Sequence, residues 1–600
     1  MMRWVTTPAS LLRLGTLLSL VGAAICSSGF ESRMNSALND VLGNDTSARI
    51  LLVRHFEPGE FTLPTRDPEG LPILRVPRAQ QGVTVVKFFI RTNGSDAPEE
   101  PSPNSGTDVG LEIWFPDPLA WNGRIYSHVA GGFQGDVQVV APNASSSETW
   151  KGRYTSQMAS ELGYVSGVTN GGQSNPRGIE DMQWLLNDDG TWNMEGWKNA
   201  NWQATHLLSV KSKAIAKAYY GKPARYSYIY GCSTGGRGVY KTIQQFPGDY
   251  DGYLSACPSI NQGRLFPSLG HPFIVMNNHL HQETAFTDIQ LEVVVQRALQ
   301  NGDTDVTGKH DGYFSKINSN HYDPTKDLSL LSVEEGGNCT QDWAFTKRQL
   351  EAINQIWYGP TLNGSIPDPS VSTGTDPKLA SDQLWWGKLR GSLIAFALQK
   401  RFIVGNMFAV MLKDPSLAPD SWNHPLANST DAWSTWSYEK YAKAILDLER
   451  IDAENFQMAS NDPDLRPAKK AGAKMITYHA LADPGVAPQS SISYYHKSAG
   501  VIGRDKVNDF HRLFLVPGQD HCIRASGVAG SGNPPIPTVE EWLELLVNWV
   551  ENGKAPDHII AHSLDNAASR PICMYPRMAK YKGHGDVSKA SSFNCEGSFY

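Results

Sequence analysis

The sequence predicts an α/β protein: a mostly parallel sheet covered by helices on both faces, interrupted by a large insertion. Three observations carry this. Strand-like, turn-like and helix-like segments alternate in two blocks. A sharp glycine-rich turn, "GCSTGG", joins a strand pattern to a helix pattern in the first block. Between the blocks, roughly Gln262 to Ser437, periodicity is weak and Asn, Asp, Pro, Gly and Trp abound.

In the first block, Gly110 to Phe115 and Gly123 to Ala130 read as strands. A helix is expected over Trp202 to Tyr220, with Leu207, Val210, Ala214 and Ala218 as its apolar stripe and Gly221 and Pro223 ending it. "ARYSYIY" then reads as a strand and "RGVYKTIQQF" as a helix. In the second block, Ala473 to His479 and His511 to Val516 are β-rich runs followed by loops. The last helix is expected over Val539 to Asn552, with a Thr538/Glu541 capping box, a stripe of Trp542, Leu545, Leu546, Trp549 and Val550, and Gly553 as its stop.

At 600 residues the chain can bury a large core or two domains. It is 40% hydrophobic and 19% charged, with a net charge of −7 and no long basic run, which argues against nucleic acid or an anionic membrane as partner. Arg3 and Arg13 flank the start of an apolar run that ends in small residues near Cys26 to Ser28, as an export signal does, with an uncleaved anchor as the alternative. Residues 1–28 are therefore expected to be a signal peptide. Sequons begin at Asn44, Asn93, Asn143, Asn338, Asn363 and Asn428. Loss of Cys26 leaves six cysteines, an even set for three disulfides in an oxidising compartment. The reading is a secreted, extracellular glycoprotein with no membrane association after cleavage.

Gly231-Cys232-Ser233-Thr234-Gly235 fits the G-x-S-x-G nucleophile elbow of the α/β-hydrolase fold. A hydroxyl needs a base, and the base an orienting acid, in the chain order Ser, acid, His. Asp483 follows the first β-rich run of the second block, and His521 follows the next. Asp520 adjoins His521, but neighbours on a loop usually point apart; His479 is expected to be packed in its strand. Cys232 precedes Ser233 and Cys522 follows His521, so a serine and histidine in contact would bring two cysteines within bonding range.

With "YGCSTGGRG", a later Asp and "GQDHC", the chain resembles the tannase and feruloyl esterase family from about residue 45 to residue 580. The resemblance implies Ser233 as nucleophile, His521 as base, Asp483 as orienting acid and a Cys232–Cys522 disulfide beside them. It implies a discontinuous hydrolase domain over 29–261 and 438–600 with a lid inserted at 262–437. For the oxyanion hole, the elbow offers the Thr234 amide, and "AGGFQG" offers Gly132, with Gly131 close behind. The C-terminal Cys573 and Cys595 resemble the family's terminal disulfide loop, which leaves Cys257 with Cys339.

"DTDVTGKHDG" places Asp303, Asp305, Thr307 and Asp311 at EF-hand-like spacing, but Phe314 stands where the bidentate Glu belongs. The family's lid carries a calcium loop in this region, so structural calcium is expected at Asp303, Asp305, Thr307, Asp311 and Tyr313, and no organic cofactor. His279 and His281 form an H-x-H without a third ligand at a telling spacing, and His206 reads as a core histidine. The insertion's Trp343, Trp357, Trp385, Trp386, Trp422, Trp433 and Trp436 are expected mainly to pack. The family implies a secreted serine esterase acting on small or polymer-linked esters of hydroxylated aromatic acids, such as galloyl or feruloyl esters. Alternatives are an esterase or acyltransferase for another small ester or secondary metabolite, and a silent hydrolase fold used for binding. Oligomeric state is left open by the sequence.

Overall fold

The computed structural model describes residues 28–61, 80–102, 105–133, 135–147, 155–173, 181–280, 286–302, 311–317, 320–426, 431–522 and 533–599. The expected signal segment lies outside them, Ser28 excepted. Among the described residues no helix is long and apolar enough to cross a membrane.

Nine strands form one mixed sheet: β1 (Ala48–Phe56), β2 (Val83–Arg91), β3 (Asp108–Pro116), β4 (Arg124–Val129), β5 (Val165–Thr169), β6 (Tyr226–Cys232), β7 (Gly252–Ala256), β8 (Lys474–Ala480) and β9 (His511–Val516). Their order is β1-β2-β3-β5-β4-β6-β7-β8-β9. The first three pairings are antiparallel, and the five from β5 through β9 are parallel. This is the α/β-hydrolase architecture. The parallel registers align the carboxyl ends, with Val129 opposite Gly231, Cys232 opposite Ala256, and Ala480 opposite Val516. Loops leaving those ends therefore share one rim, where open α/β sheets hold their ligands.

The strands at the antiparallel edge, β1 and β2, were not among the expected elements, nor were the short β5 and β7. Lys87 on β2 and Glu112 on β3 are both fully buried and pair at 3.2 Å. Glu112 also accepts from the Trp114 indole at 2.7 Å and the Ser147 amide at 2.9 Å, while Lys87 donates to the Ser145 carbonyl at 2.8 Å. Held by these bonds, the pair anchors the loop that follows the glycine turn after β4.

Helix α1 (Ala204–Tyr220) sits where expected, but its buried face is not the expected stripe. Leu208, Ser212, Ile215, Ala216 and Tyr219 point inward, whereas Val210 is exposed. Tyr219 packs edge-on against Phe115 of β3, and the bulky rings, rather than the alanines, set the helix's rotation. His206 is half-buried as a consequence, bonded to Asp249 at 2.8 Å and stacked on Phe246 at 4.0 Å. Helix α2 (Thr234–Gln245) follows β6 directly. Near the C-terminus, α3 (Val539–Asn552) has the expected reciprocal capping box and a left-handed Gly553. Trp542 of α3 lies flat on Tyr478 of β8, with centroids 5.0 Å apart.

Between β7 and β8 the chain leaves the sheet and builds a helical layer, including Gln262–Ser268, Lys347–Tyr358, Arg401–Met411 and Tyr438–Ile451. Six of its seven noted tryptophans are buried, with Trp343 only partly so, which agrees with a packing role. Trp385, Trp386, Trp422 and Trp433 share one apolar cluster with Phe133, Trp184 and Trp197.

Candidate active site

Ser233 occupies the turn between β6 and α2 with φ 62° and ψ −121°, a left-handed backbone that raises its side chain above the rim. Glycines make the turn possible. A Cβ on Gly235 would stand 2.1 Å from the Val129 carbonyl oxygen, and one on Gly231 would stand 2.4 Å from the Gly235 backbone. The Ser233 amide donates to Ala256 O at 3.0 Å, which ties the elbow to β7.

The three residues expected from chain order meet here. His521 Nε2 lies 3.0 Å from Ser233 Oγ, and His521 Nδ1 lies 2.7 Å from Asp483 Oδ2. All three are buried, Ser233 being the most open at 9%. Asp483 Oδ1 accepts the amides of Gly485 at 2.8 Å and Val486 at 2.7 Å, so the carboxylate is held from both sides. Burial alone would raise the Asp483 carboxyl. The charges and hydrogen bonds of His521 and His479 outweigh it and hold it well below the usual carboxylate range. Asp520 serves differently, accepting the amide of His521 itself. His479 is fully buried, bonded to Ser491 Oγ at 2.7 Å and to the Val486 carbonyl at 2.9 Å, with Asp483 3.4 Å away.

Cys232 and Cys522 form a disulfide across 290 residues, with α-carbons 6.2 Å apart. Cys573 and Cys595 form a second, across 22 residues. The expected Cys257–Cys339 bond is absent: neither cysteine is in a disulfide, and both are buried. Cys257 directly follows β7, near His521 and Asp483, while Cys339 lies in the insertion, bridged to Ser332.

The Thr234 amide opens α2 and has no intrahelical acceptor, and the Thr234 hydroxyl accepts from Gln262 at 2.9 Å. Gly131 and Gly132 are buried in the loop after β4, Gly132 with φ 60°, and that loop abuts the elbow through Val129 and Ala130. Phe133, Trp184 and Trp197 line a small cavity reaching Thr234 and Gln262. No motif pointed to this aromatic wall, because its members come from segments that share none.

Two groups among the described residues bring three metal-ligand atoms within 4.8 Å: Cys232, His521 and Cys522, and Cys257, Asp483 and His521. This is a generic His/Cys/Asp set, not the oxygen cage that calcium takes. In the first group the sulfurs are tied in the disulfide; in the second the imidazole and carboxylate bond each other. Of the expected calcium ligands, Asp303, Asp305 and Thr307 lie outside the described residues. Asp311 faces the Arg570 guanidinium at 3.8 Å and Tyr313 is buried, so these two alone do not make an oxygen cage. His281 also lies outside, and His279 pairs with Glu351 at 3.2 Å. Asn44, Asn93, Asn143, Asn338 and Asn363 are exposed; Asn428 lies outside the described residues.

A sharp strand-turn-helix carrying Ser233 at the carboxyl rim of such a sheet gives the chain the α/β-hydrolase fold. Residues 97–596 match the family model described as "Tannase and feruloyl esterase", and the chain belongs to that family. It is 28% identical over 583 residues to a "Probable feruloyl esterase" of Arthroderma benhamiae, covering 92% of this chain and 96% of that one. Among solved structures it is similar to feruloyl esterase B from Aspergillus oryzae, at TM-score 0.69 and 21% identity, covering 94% of this chain and all (100%) of that one. It is also similar to a tannin acyl hydrolase from Aspergillus niger, at TM-score 0.68 and 19% identity, covering 92% of each chain. Family membership carries ester hydrolysis as the general activity.

Proposed function

We propose that the chain is a secreted serine esterase that cleaves esters of hydroxylated aromatic carboxylic acids, feruloyl or galloyl esters among them. The observation that carries the mechanism is the unbroken hydrogen-bond chain from Ser233 through His521 to Asp483, at 3.0 and 2.7 Å. In this reading Ser233 Oγ attacks the ester carbonyl while His521 Nε2 takes its proton. Asp483 holds Nδ1–H and stabilises the imidazolium. The amides of Thr234 and Gly132 receive the oxyanion. His521 then protonates the departing alkoxide, and a water activated by the same imidazole releases the acid from the acyl-enzyme. The aromatic acyl class is supported by the relatives' names and by the aromatic wall beside Thr234.

Residues 262–437 act as a lid on the hydrolase parts at 29–261 and 438–600. Export is supported by the signal pattern of residues 1–28 and by sequons at exposed positions. The decisive measurement is acid release from methyl ferulate, methyl gallate and a generic aryl ester. Wild type is expected to turn over at least one, and Ser233→Ala to lose roughly 10⁴-fold or more in kcat. Equal inertness of both proteins, with no adduct from a serine-directed phosphonate, would end this reading.

Structural calcium at the 303–313 loop is supported by the spacing of Asp303, Asp305 and Thr307 alone. A calcium chelator is expected to lower Tm by about 3 °C or more. An unchanged Tm, with no calcium found by elemental analysis, would remove the ion from the account.

A further inference from the structure

A narrow recess lies between the insertion and the loop that carries Asp483. His271, Trp385, Trp386, Lys388, Gly485 and Ala487 line it, with a volume of about 10 Å³, room for one oxygen-sized group. Among the described residues, three polar groups of its lining residues lack partners: the Trp385 indole Nε1, the Lys388 ammonium and His271 Nδ1. Lys388 is buried, and among the described residues its ammonium has neither a hydrogen bond nor an ion pair. His271 is also buried; its Nε2 lies 3.1 Å from the Gln355 carbonyl, while its Nδ1 has no partner among the described residues.

Burying an ammonium without a hydrogen-bond partner costs roughly several kcal/mol, so such a group is kept where something else engages it. The Gln355 carbonyl only accepts, which puts the imidazole proton on Nε2 and leaves a bare lone pair on Nδ1. Burial, opposed by the Gln355 bond and reinforced by Lys388, pushes His271 down to about 4, so the ring is neutral at pH 7. Burial pushes Lys388 down to about 8, against the pull of Asp483, and most of it is still charged at pH 7. The recess thus offers one acceptor and a cationic donor, the complement of a hydroxyl group.

We infer that Lys388 and His271 form a receptor for a phenolic hydroxyl of the acyl group, the O–H donating to His271 Nδ1 and the oxygen accepting from Lys388. This rests on the esterase reading of the same site and names what it selects. The phenol is favoured over a sugar hydroxyl because the remaining walls, including both tryptophans, Leu265 and Pro272, are largely apolar. The reach is suitable. Gln262 holds Thr234 at the elbow, and Leu269, just past the end of the same helix, lines the recess roughly 10 Å further along.

The test compares kcat/KM for methyl 4-hydroxycinnamate and methyl cinnamate in wild type, Lys388→Met and His271→Phe. Calorimetric titrations with 4-hydroxycinnamic and cinnamic acids accompany it. Wild type is expected to favour the hydroxylated ester at least tenfold, and each substitution to cut that ratio about tenfold. A change in ratio below threefold overturns the inference. So does an equal loss on both esters, which would mean that Lys388 acts only on Asp483. If wild type turns over neither ester, the esterase reading fails, and the titrations decide: equal affinity for the two acids overturns the receptor, and a preference lost in the variants upholds it. Lys388→Gln and His271→Asn replace any variant whose Tm shows that it has not folded.

Discussion

Asp483→Asn is expected to lower kcat by about 10⁴ at pH 7 while Ser233, His521 and the disulfide remain in place. The reason lies in the direction of one proton. Asp483 Oδ2, 2.7 Å from His521 Nδ1, keeps the proton on Nδ1 and leaves Nε2 free to accept from Ser233. An asparagine turns its NH₂ toward Nδ1 when its oxygen stays with the Gly485 and Val486 amides, and Nε2 then carries the proton. Asp520→Asn, at a carboxylate that accepts the backbone amide of His521, is expected to cost far less. Steady-state kinetics with active-site titration settles the comparison; a loss under tenfold for Asp483→Asn would transfer the orienting role elsewhere.

The same carboxylate shapes the acid limb of stability. Its folded pKa is depressed, so its contribution is fully present above the ordinary carboxylate pKa and is lost as pH falls through the lower folded value. The Asp483→Asn variant should therefore show a flatter loss of Tm below about pH 4.

Removing the Cys232–Cys522 bond is expected to cost up to about 5 kcal/mol, because it closes a loop of 290 residues, and to abolish most activity. The bond joins the residue before Ser233 to the residue after His521, so without it the two side chains rely on separate loops. The double Cys232→Ala/Cys522→Ala variant is the sound comparison. A single substitution would leave a thiol beside His521, whose ring also lies within 4.8 Å of Cys257 Sγ, and the partners could exchange. The Cys573/Cys595 double variant, which opens a 22-residue loop, should cost about 3 kcal/mol and leave the active-site residues joined. Peptide mapping under non-reducing conditions checks the premise, and free thiols at Cys232 and Cys522 would defeat it.

Some of this fold is legible in the sequence. Val539–Asn552 could be read because cap, stripe and stop all lie within one segment and agree. The elbow could be read because three small residues around Ser233 leave the backbone little else to do. The burial face of Ala204–Tyr220 could not, since Tyr219 and Tyr220 outweigh the alanine spacing only once Phe115 is known to face them. The pairing of Cys257 failed for a related reason: counting cysteines conserves parity but says nothing about which α-carbons come within reach.

The sequence by itself determined the sharp Gly-Cys-Ser-Thr-Gly turn and the chain order of Ser233, Asp483 and His521, because each is a local pattern at the end of a β-rich run. The tertiary structure set Asp483 Oδ2 2.7 Å from His521 Nδ1. Only it left Lys388 unpaired beside His271 and gathered Phe133, Trp184 and Trp197 against Thr234. Those relations depend on side-chain directions between segments far apart in the chain, and no periodicity or spacing along it encodes them.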